Sequence, residues 1–234
     1  MSVLRLLRPL LVLASVLGLV AATSATASAV PATPTTIFVA IVTDLAPPVA
    51  GRPTDLTAVL GDDTGTPVAG QLLTLSVQTA GSADFQVVGQ ATTDASGRAT
   101  VWATLDHDVV ARWSYDGNTT YGASTSADYG VQVAPLVTAR AHDRTLRRGQ
   151  RLLVTGRTTP VKAGCAVSLW RGVPRPLTSG PAPKLLARSV ARADGSYRLV
   201  RRLHRAARLR VAVTVASCAG NARGLSHAIA IRVR

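Results

Sequence analysis

Glutamate is absent from this 234-residue chain, and only Lys162 and Lys184 are lysines. The missing glutamates leave aspartate as the sole source of side-chain carboxylates. Any paired-carboxylate acid–base chemistry would have to use aspartate alone. Asp106 and Asp108 stand closest to such a pair, at a spacing that is ordinary in a loop or strand edge. Aromatic residues number nine, too few for a base-stacking nucleic-acid platform. The four histidines, His107, His142, His204 and His227, form neither a His-x-His pair nor a helical i, i+4 pair, so no zinc site is read. No G-x-S-x-G turn, P-loop or dinucleotide glycine pattern occurs. The expectation is a protein with no catalytic residues, no metal and no cofactor. Asp62, Asp63, Asp94, Asp106 and Asp108 could offer oxygens to calcium. They read more simply as turn aspartates bonding their own backbone.

Long apolar runs are also scarce. The one present is Leu10–Ala22, preceded by Arg5 and Arg8 and followed by Ala25-Thr26-Ala27 and Ala27-Ser28-Ala29. A positive start, a short apolar core and small-x-small sites describe a cleaved signal peptide over residues 1–28, with an uncleaved N-terminal anchor as the alternative. No second run reaches the length of a membrane span. The mature chain is read as secreted. Residues 29–35 read as an extended Pro/Thr spacer.

What is abundant is arginine and alanine, a composition like that of GC-rich actinobacterial genomes. The charge is divided unevenly. Residues 30–135 hold three Arg against ten Asp, a net of −7; residues 136–234 hold nineteen Arg and two Lys against Asp143 and Asp194, a net of +19. Compositional bias acts on both halves and does not explain opposite signs.

Short β-branched runs broken by Gly, Pro, Asp and Asn follow the spacer, and no helical period is sustained. This is the pattern of an all-β protein. Strands are expected near 37–43, 55–60, 71–78, 86–93, 98–104, 109–115 and 127–133. A second series is expected near 136–142, 151–157, 166–171, 185–192, 197–203, 209–216 and 228–233. The series match in order. Val68-Ala69-Gly70 answers to Lys162-Ala163-Gly164, and Asp94–Arg98 answers to Ala193–Ser196. Trp113–Ser124 aligns without a gap on Val215–Ser226. The matches imply a duplicated fold: an acidic module over 36–134 and a basic module over 136–234, joined by the short Ala134-Pro135-Leu136 link.

Residues 62–101 (DDTGTPVAGQLLTLSVQ … ATTDASGRATV) and 115–124 (YDGNTTYGAS) resemble repeats of the bacterial immunoglobulin-like domain superfamily, as in invasin- and intimin-type adhesins. The resemblance implies two tandem immunoglobulin-like β-sandwiches. It speaks to fold and weakly to role. The second module carries Arg223 and Cys218 where the alignment expects the motif's Tyr and Asp.

Cys165 and Cys218 are the only cysteines. In an exported chain they read as one disulfide rather than two free thiols, closing a loop of about 54 residues worth roughly 3–4 kcal/mol. The alignment puts Cys165 on Gln71 and Cys218 on Asp116. Leu209, Val211, Val213 and Val215 are expected to face inward, with Arg208, Arg210 and Thr214 outward. Arg201 falls in phase with the inward residues, so either a bulge intervenes or its strand ends by Val200.

The basic half supplies the candidate surface: Arg147, Arg148, Arg198, Arg202, Arg205, Arg208 and Arg210, with Arg198, Arg202, Arg208 and Arg210 expected on one outward face. Guanidinium groups pair bidentately with phosphate and carboxylate. The expected partner is an anionic polymer of the envelope, read without sequence-specific nucleic-acid recognition. The alternatives are protein–protein assembly through the two oppositely charged modules, and an accessory role in an extracellular enzyme system.

Overall fold

A computed structural model describes residues 32–40, 47–174 and 182–234. Residues 1–28, read from the sequence as a signal peptide, and the first residues read as a spacer lie outside them. Residues Ala32–Arg234 form one compact unit.

Every regular element among the described residues is a strand. In the first half these are β1 (Thr35–Ala40), β2 (Pro53–Asp62), β3 (Leu72–Thr79), β4 (Gln86–Thr92), β5 (Arg98–Thr104), β6 (Val109–Tyr115), β7 (Ser124–Thr125) and β8 (Tyr129–Val131). In the second half they are β9 (Leu136–Ala141), β10 (Thr145–Leu146), β11 (Arg151–Thr159), β12 (Ala166–Arg171), β13 (Lys184–Val190), β14 (Ser196–Arg202), β15 (Ala207–Val215), β16 (Gly224–Leu225) and β17 (Ile229–Val233). Four sheets result. Sheet β1-β2-β5 faces sheet β4-β3-β6-β7, with β8 also on β6; sheet β14-β11-β9 faces sheet β10-β17-β15-β12-β13, with β16 also on β15. The spacer is partly structured: Thr33 N–H donates to Thr120 O at 2.8 Å and Gly122 N–H to Thr33 O at 2.7 Å, just before Thr35 opens β1.

Each facing pair encloses its own hydrophobic cluster, from Ala50 to Val133 in the first and Val137 to Val233 in the second. Strand alternation produces both. Leu73, Leu75 and Val77 are buried on β3 while Thr74, Ser76 and Gln78 are not. Leu209, Val211, Val213 and Val215 are likewise buried on β15. Each such side chain contributes about 1.5–3 kcal/mol by leaving water.

Three expectations require correction. Thr214 is buried, because the Trp170 indole N–H lies over the outer face of β15 and donates to Thr214 Oγ1 at 2.9 Å. Neither alternative for Arg201 holds. Strand β14 continues to Arg202 in unbroken register with β11, and Arg201 stands opposite buried Leu152. Strand β14 is the sheet's edge, so the long Arg201 side chain reaches solvent from a core-side position.

The third correction concerns the repeat. Leu75 opposes Trp113, as Leu169 opposes Val213. Trp113 N–H donates to Ser126 Oγ at 3.0 Å, as Val213 N–H donates to Ser226 Oγ at 2.9 Å. Tyr115 opposes Ser124, as Val215 opposes Gly224. Trp113 therefore corresponds to Val213 and Ser126 to Ser226. The gapless alignment is two residues out of step here, and Cys218 corresponds to Asn118 rather than Asp116.

The two sheet pairs are tied together directly. Asn221 Nδ2 donates to Asp106 O at 2.9 Å and to Val133 O at 2.8 Å. Ala222 N–H donates to Val133 O at 3.0 Å, and Asp108 N–H to Gly220 O at 2.8 Å. Lys162, 1% exposed, donates from Nζ to Ala219 O at 2.7 Å and to Asn221 Oδ1. Burial pushes its ammonium below the ordinary range, and the Asp108 carboxylate partly opposes that shift.

Candidate anion-binding surface

The seven arginines singled out in the sequence are carried by three local structures of the second sheet pair. Arg198 and Arg202 lie on β14, opposite Thr155 and Arg151 of β11. Arg140 of β9 also opposes Thr155. That sheet therefore displays Arg140, Arg151, Arg198 and Arg202 on its outer face, all exposed. Arg157 shares the face and is paired with Asp194 at 3.1 Å. The Ser196 hydroxyl and N–H, together with Arg157, hold the Asp194 carboxyl at about 2.

Arg147 and Arg148 occupy the turn after β10, where Gly149 takes the positive φ of 81° that a side chain would resist. Arg205 occupies the β14–β15 connection. Gly149 N–H donates to Leu203 O at 2.7 Å and Leu203 N–H to Gln150 O at 3.1 Å, which brings these two loops side by side.

Arg208 and Arg210 lie on β15 with exposed side chains, while Leu209 and Val211 between and beyond them are buried. Strands β14 and β15 are consecutive but belong to opposing sheets. Arg198 and Arg202 therefore do not share an outward face with Arg208 and Arg210. The chain crosses from one sheet to the other at Leu203–Ala206 instead of turning back as a hairpin. Arg147, Arg148, Arg202, Arg205 and Arg208 gather at the end where the chain crosses, and Arg198 and Arg210 lie further along their strands.

On the β15 side the structure adds residues that the sequence pattern did not single out. Arg208 stands directly opposite Arg232 of β17. The Arg232 N–H donates to Arg144 O at 2.7 Å. Arg144, Arg208, Arg210 and Arg232 line a shallow groove of about 300 Å3 together with Ala230. The alternation of Ile229, Ile231 and Val233 predicts that Arg232 points outward; its partner depends on a strand register that composition does not carry.

No family model matches the sequence, and no curated protein matches it. Solved structures do. The Escherichia coli adhesin FdeC matches at 17% identity and TM-score 0.35, over 86% of this chain and 64% of the adhesin. A Salmonella alpha-2-macroglobulin reacted with methylamine matches at 12% identity and TM-score 0.37, and the native E. coli alpha-2-macroglobulin at 12% and 0.32. Each covers 86% of this chain, which spans 16% of either macroglobulin. The chain thus spans less than two thirds of the proteins it resembles.

The geometry offers cation clusters on rigid strands and tied loops. Two ion pairs form among the described residues, Arg112–Asp128 and Arg157–Asp194. None of the seven arginines, nor Arg144 or Arg232, takes part in either. The Cys165–Cys218 disulfide, with its Cα atoms 6.3 Å apart, lies at the other end of the second sheet pair, beside Lys162 and Asn221.

Proposed function

We propose that this is an exported, non-catalytic binding protein of the envelope or cell exterior, built from two tandem immunoglobulin-like modules (residues 36–134 and 136–234). Its basic second module holds anionic envelope polymers. The observation that carries the reading is the arginine-rich surface just described, where Arg147, Arg148, Arg198, Arg202, Arg205, Arg208 and Arg210 are exposed and none pairs with a carboxylate among the described residues. Surface charge left unneutralised at this density favours polyanions and steers them in from a distance. The disulfide supports an oxidising compartment outside the cytoplasm.

The test is retention of the purified protein on isolated wall material across a salt series. Neutralising several phosphates releases counterions, so log K falls linearly with log salt, by about 0.7–0.9 per contact. Retention at low salt that is lost in moderate salt is the expected result. Absence of retention at low salt would end this reading.

A further inference from the structure

We propose that the groove lined by Arg144, Arg208, Arg210 and Arg232 is a recognition track for an extended phosphodiester polymer. This rests on the polyanion reading above and names both the place and the ligand chemistry.

The first ground is an uncompensated juxtaposition. Arg208 and Arg232 are direct cross-strand partners on one face of an antiparallel pair. Such partners have Cβ atoms about 5 Å apart, and like charges there destabilise the sheet. The second ground is that the strand register cannot shift to part the two positions. Leu209 and Ile231, the flanking partners on the same strands, are 7% and 2% exposed and anchored in the core. Arg144, the residue just before the short parallel strand β10, then comes beside Arg232. Asp143, next to Arg144 in the chain, makes no ion pair among the described residues. Elsewhere this chain does neutralise arginine: Arg112 forms a two-bond fork with Asp128, at 2.6 and 2.8 Å. Four unneutralised guanidinium groups around one groove are what an anion site needs and what stability alone would avoid.

Spacing selects the polymer. Arg208 and Arg210 are two residues apart on one strand face, so they repeat at about 6.8 Å along the groove. Arg232 and Arg144 continue the row onto the neighbouring strands of the same sheet. A line of cations at this repeat matches anions that lie within a backbone, as in a phosphodiester chain. The carboxylates of a two-fold polyuronate ribbon alternate sides and present fewer to one wall. Each guanidinium can fork onto a phosphate. The groove is lined by no aromatic side chain, so it reads the backbone and not a base.

The test uses the full chain, the Arg208→Ser/Arg232→Thr variant and an Arg147→Ser/Arg148→Ser control. Binding is measured across salt to a mixed-sequence single-stranded oligodeoxynucleotide, a glycerol-phosphate polymer and polygalacturonate. The expected result is tighter binding of the parent to the two phosphodiester polymers than to polygalacturonate; which of the two is held better identifies the source. Arg208→Ser/Arg232→Thr should lose about 1.4–1.8 from the salt slope, two contacts' worth, and should melt at the same or a higher temperature. The loop control should lose less. A groove variant that binds like the parent, or falls no further than the loop control, overturns the site while leaving the polyanion reading intact. A lower melting temperature shows that the pair serves the fold and also overturns it. Equal binding of polygalacturonate overturns the phosphodiester assignment. Failure of the parent to bind any of the three overturns both readings.

Discussion

The side-chain oxygen of Gln71 accepts a hydrogen bond from Asn118 Nδ2 at 2.8 Å, at the positions that Cys165 and Cys218 occupy in the second sheet pair. The correspondence is local and complete. Gly70 N–H donates to Thr93 O as Gly164 N–H donates to Ala191 O, and Asn118 N–H donates to Tyr121 O as Cys218 N–H donates to Asn221 O. One half closes this corner with a covalent bond and the other with a hydrogen bond, reinforced by the Tyr115 hydroxyl on the same oxygen at 2.8 Å.

The double substitution Gln71→Cys/Asn118→Cys should therefore form a second disulfide when the protein folds under oxidising conditions. The residues are 47 apart, so the closed loop is worth about 4 kcal/mol in the chain-entropy model. Intact mass and thiol titration report the bond, and denaturant unfolding reports its effect. Two free thiols in the folded product would refute the correspondence.

The Lys162–Asn221 contact should hold the junction between the two sheet pairs. Asn221→Ala removes one of the two acceptors of a buried ammonium and leaves Asp106 O and Val133 O without that donor. The expected cost is about 3–5 kcal/mol, that of stranding a buried charge. Lys162→Met, which removes the charge, should cost less, about 1–2 kcal/mol for unpaired acceptors. Because the folded state holds this proton less firmly than the unfolded chain, the parent gains stability as pH rises from the depressed folded value towards 10.5. Lys162→Met should flatten that rise in unfolding measured from pH 8 to 10. Above pH 10 the Tyr197 phenol, pushed up by burial, acts in the opposite direction and stability falls.

This lysine also shows what was legible in the sequence. Strand existence was, because apolar alternation at period two appears residue by residue: Arg98–Thr104, Val109–Tyr115 and Ala166–Arg171 match their strands end to end. The pairing of Cys165 with Cys218 was legible from number alone. The equivalence of Cys218 with Asn118 was not. A slip of two residues keeps every side chain on its own face, so alternation cannot detect it; identities at Gly122 and Gly224 drew the alignment the wrong way. Lys162 answers to Val68, a core position, and its environment depends on a loop 57 residues away. The arginine surface was half legible. Outward phase could be read along each strand, but not that β14 and β15 part into opposing sheets, nor that Arg232 would stand against Arg208.

Gly156 is required by space. A Cβ there would lie 1.9 Å from Thr138 O and 2.4 Å from the Tyr197 hydroxyl, which donates to Thr138 O. Gly156→Ala should cost about 3 kcal/mol or more, since both obstacles are held by the β9–β11–β14 sheet. Tyr197→Phe/Gly156→Ala should recover little, because the Thr138 backbone oxygen remains. Chemical unfolding of both variants decides this; near-parental stability of Gly156→Ala would show that the sheet opens there.

The turn aspartates contribute to the acid limb of stability. Ser196 and Arg157 hold the Asp194 carboxyl at about 2, against an ordinary 3.8. Asp62 and Asp94 are likewise lowered, chiefly by the hydroxyls of Thr64 and Ser96. A carboxyl whose folded value is depressed contributes stability that is fully present above its unfolded value and lost as pH falls through the folded one. The contribution of Asp194 should therefore be intact at pH 5 and fade between pH 4 and 2. Asp194→Asn keeps an acceptor for the Ser196 N–H but removes the titration and the Arg157 ion pair. Parent and variant should differ in unfolding midpoint at pH 6 and converge near pH 2. A difference that stays constant across that range would mean that the carboxylate's charge plays no part in holding the turn.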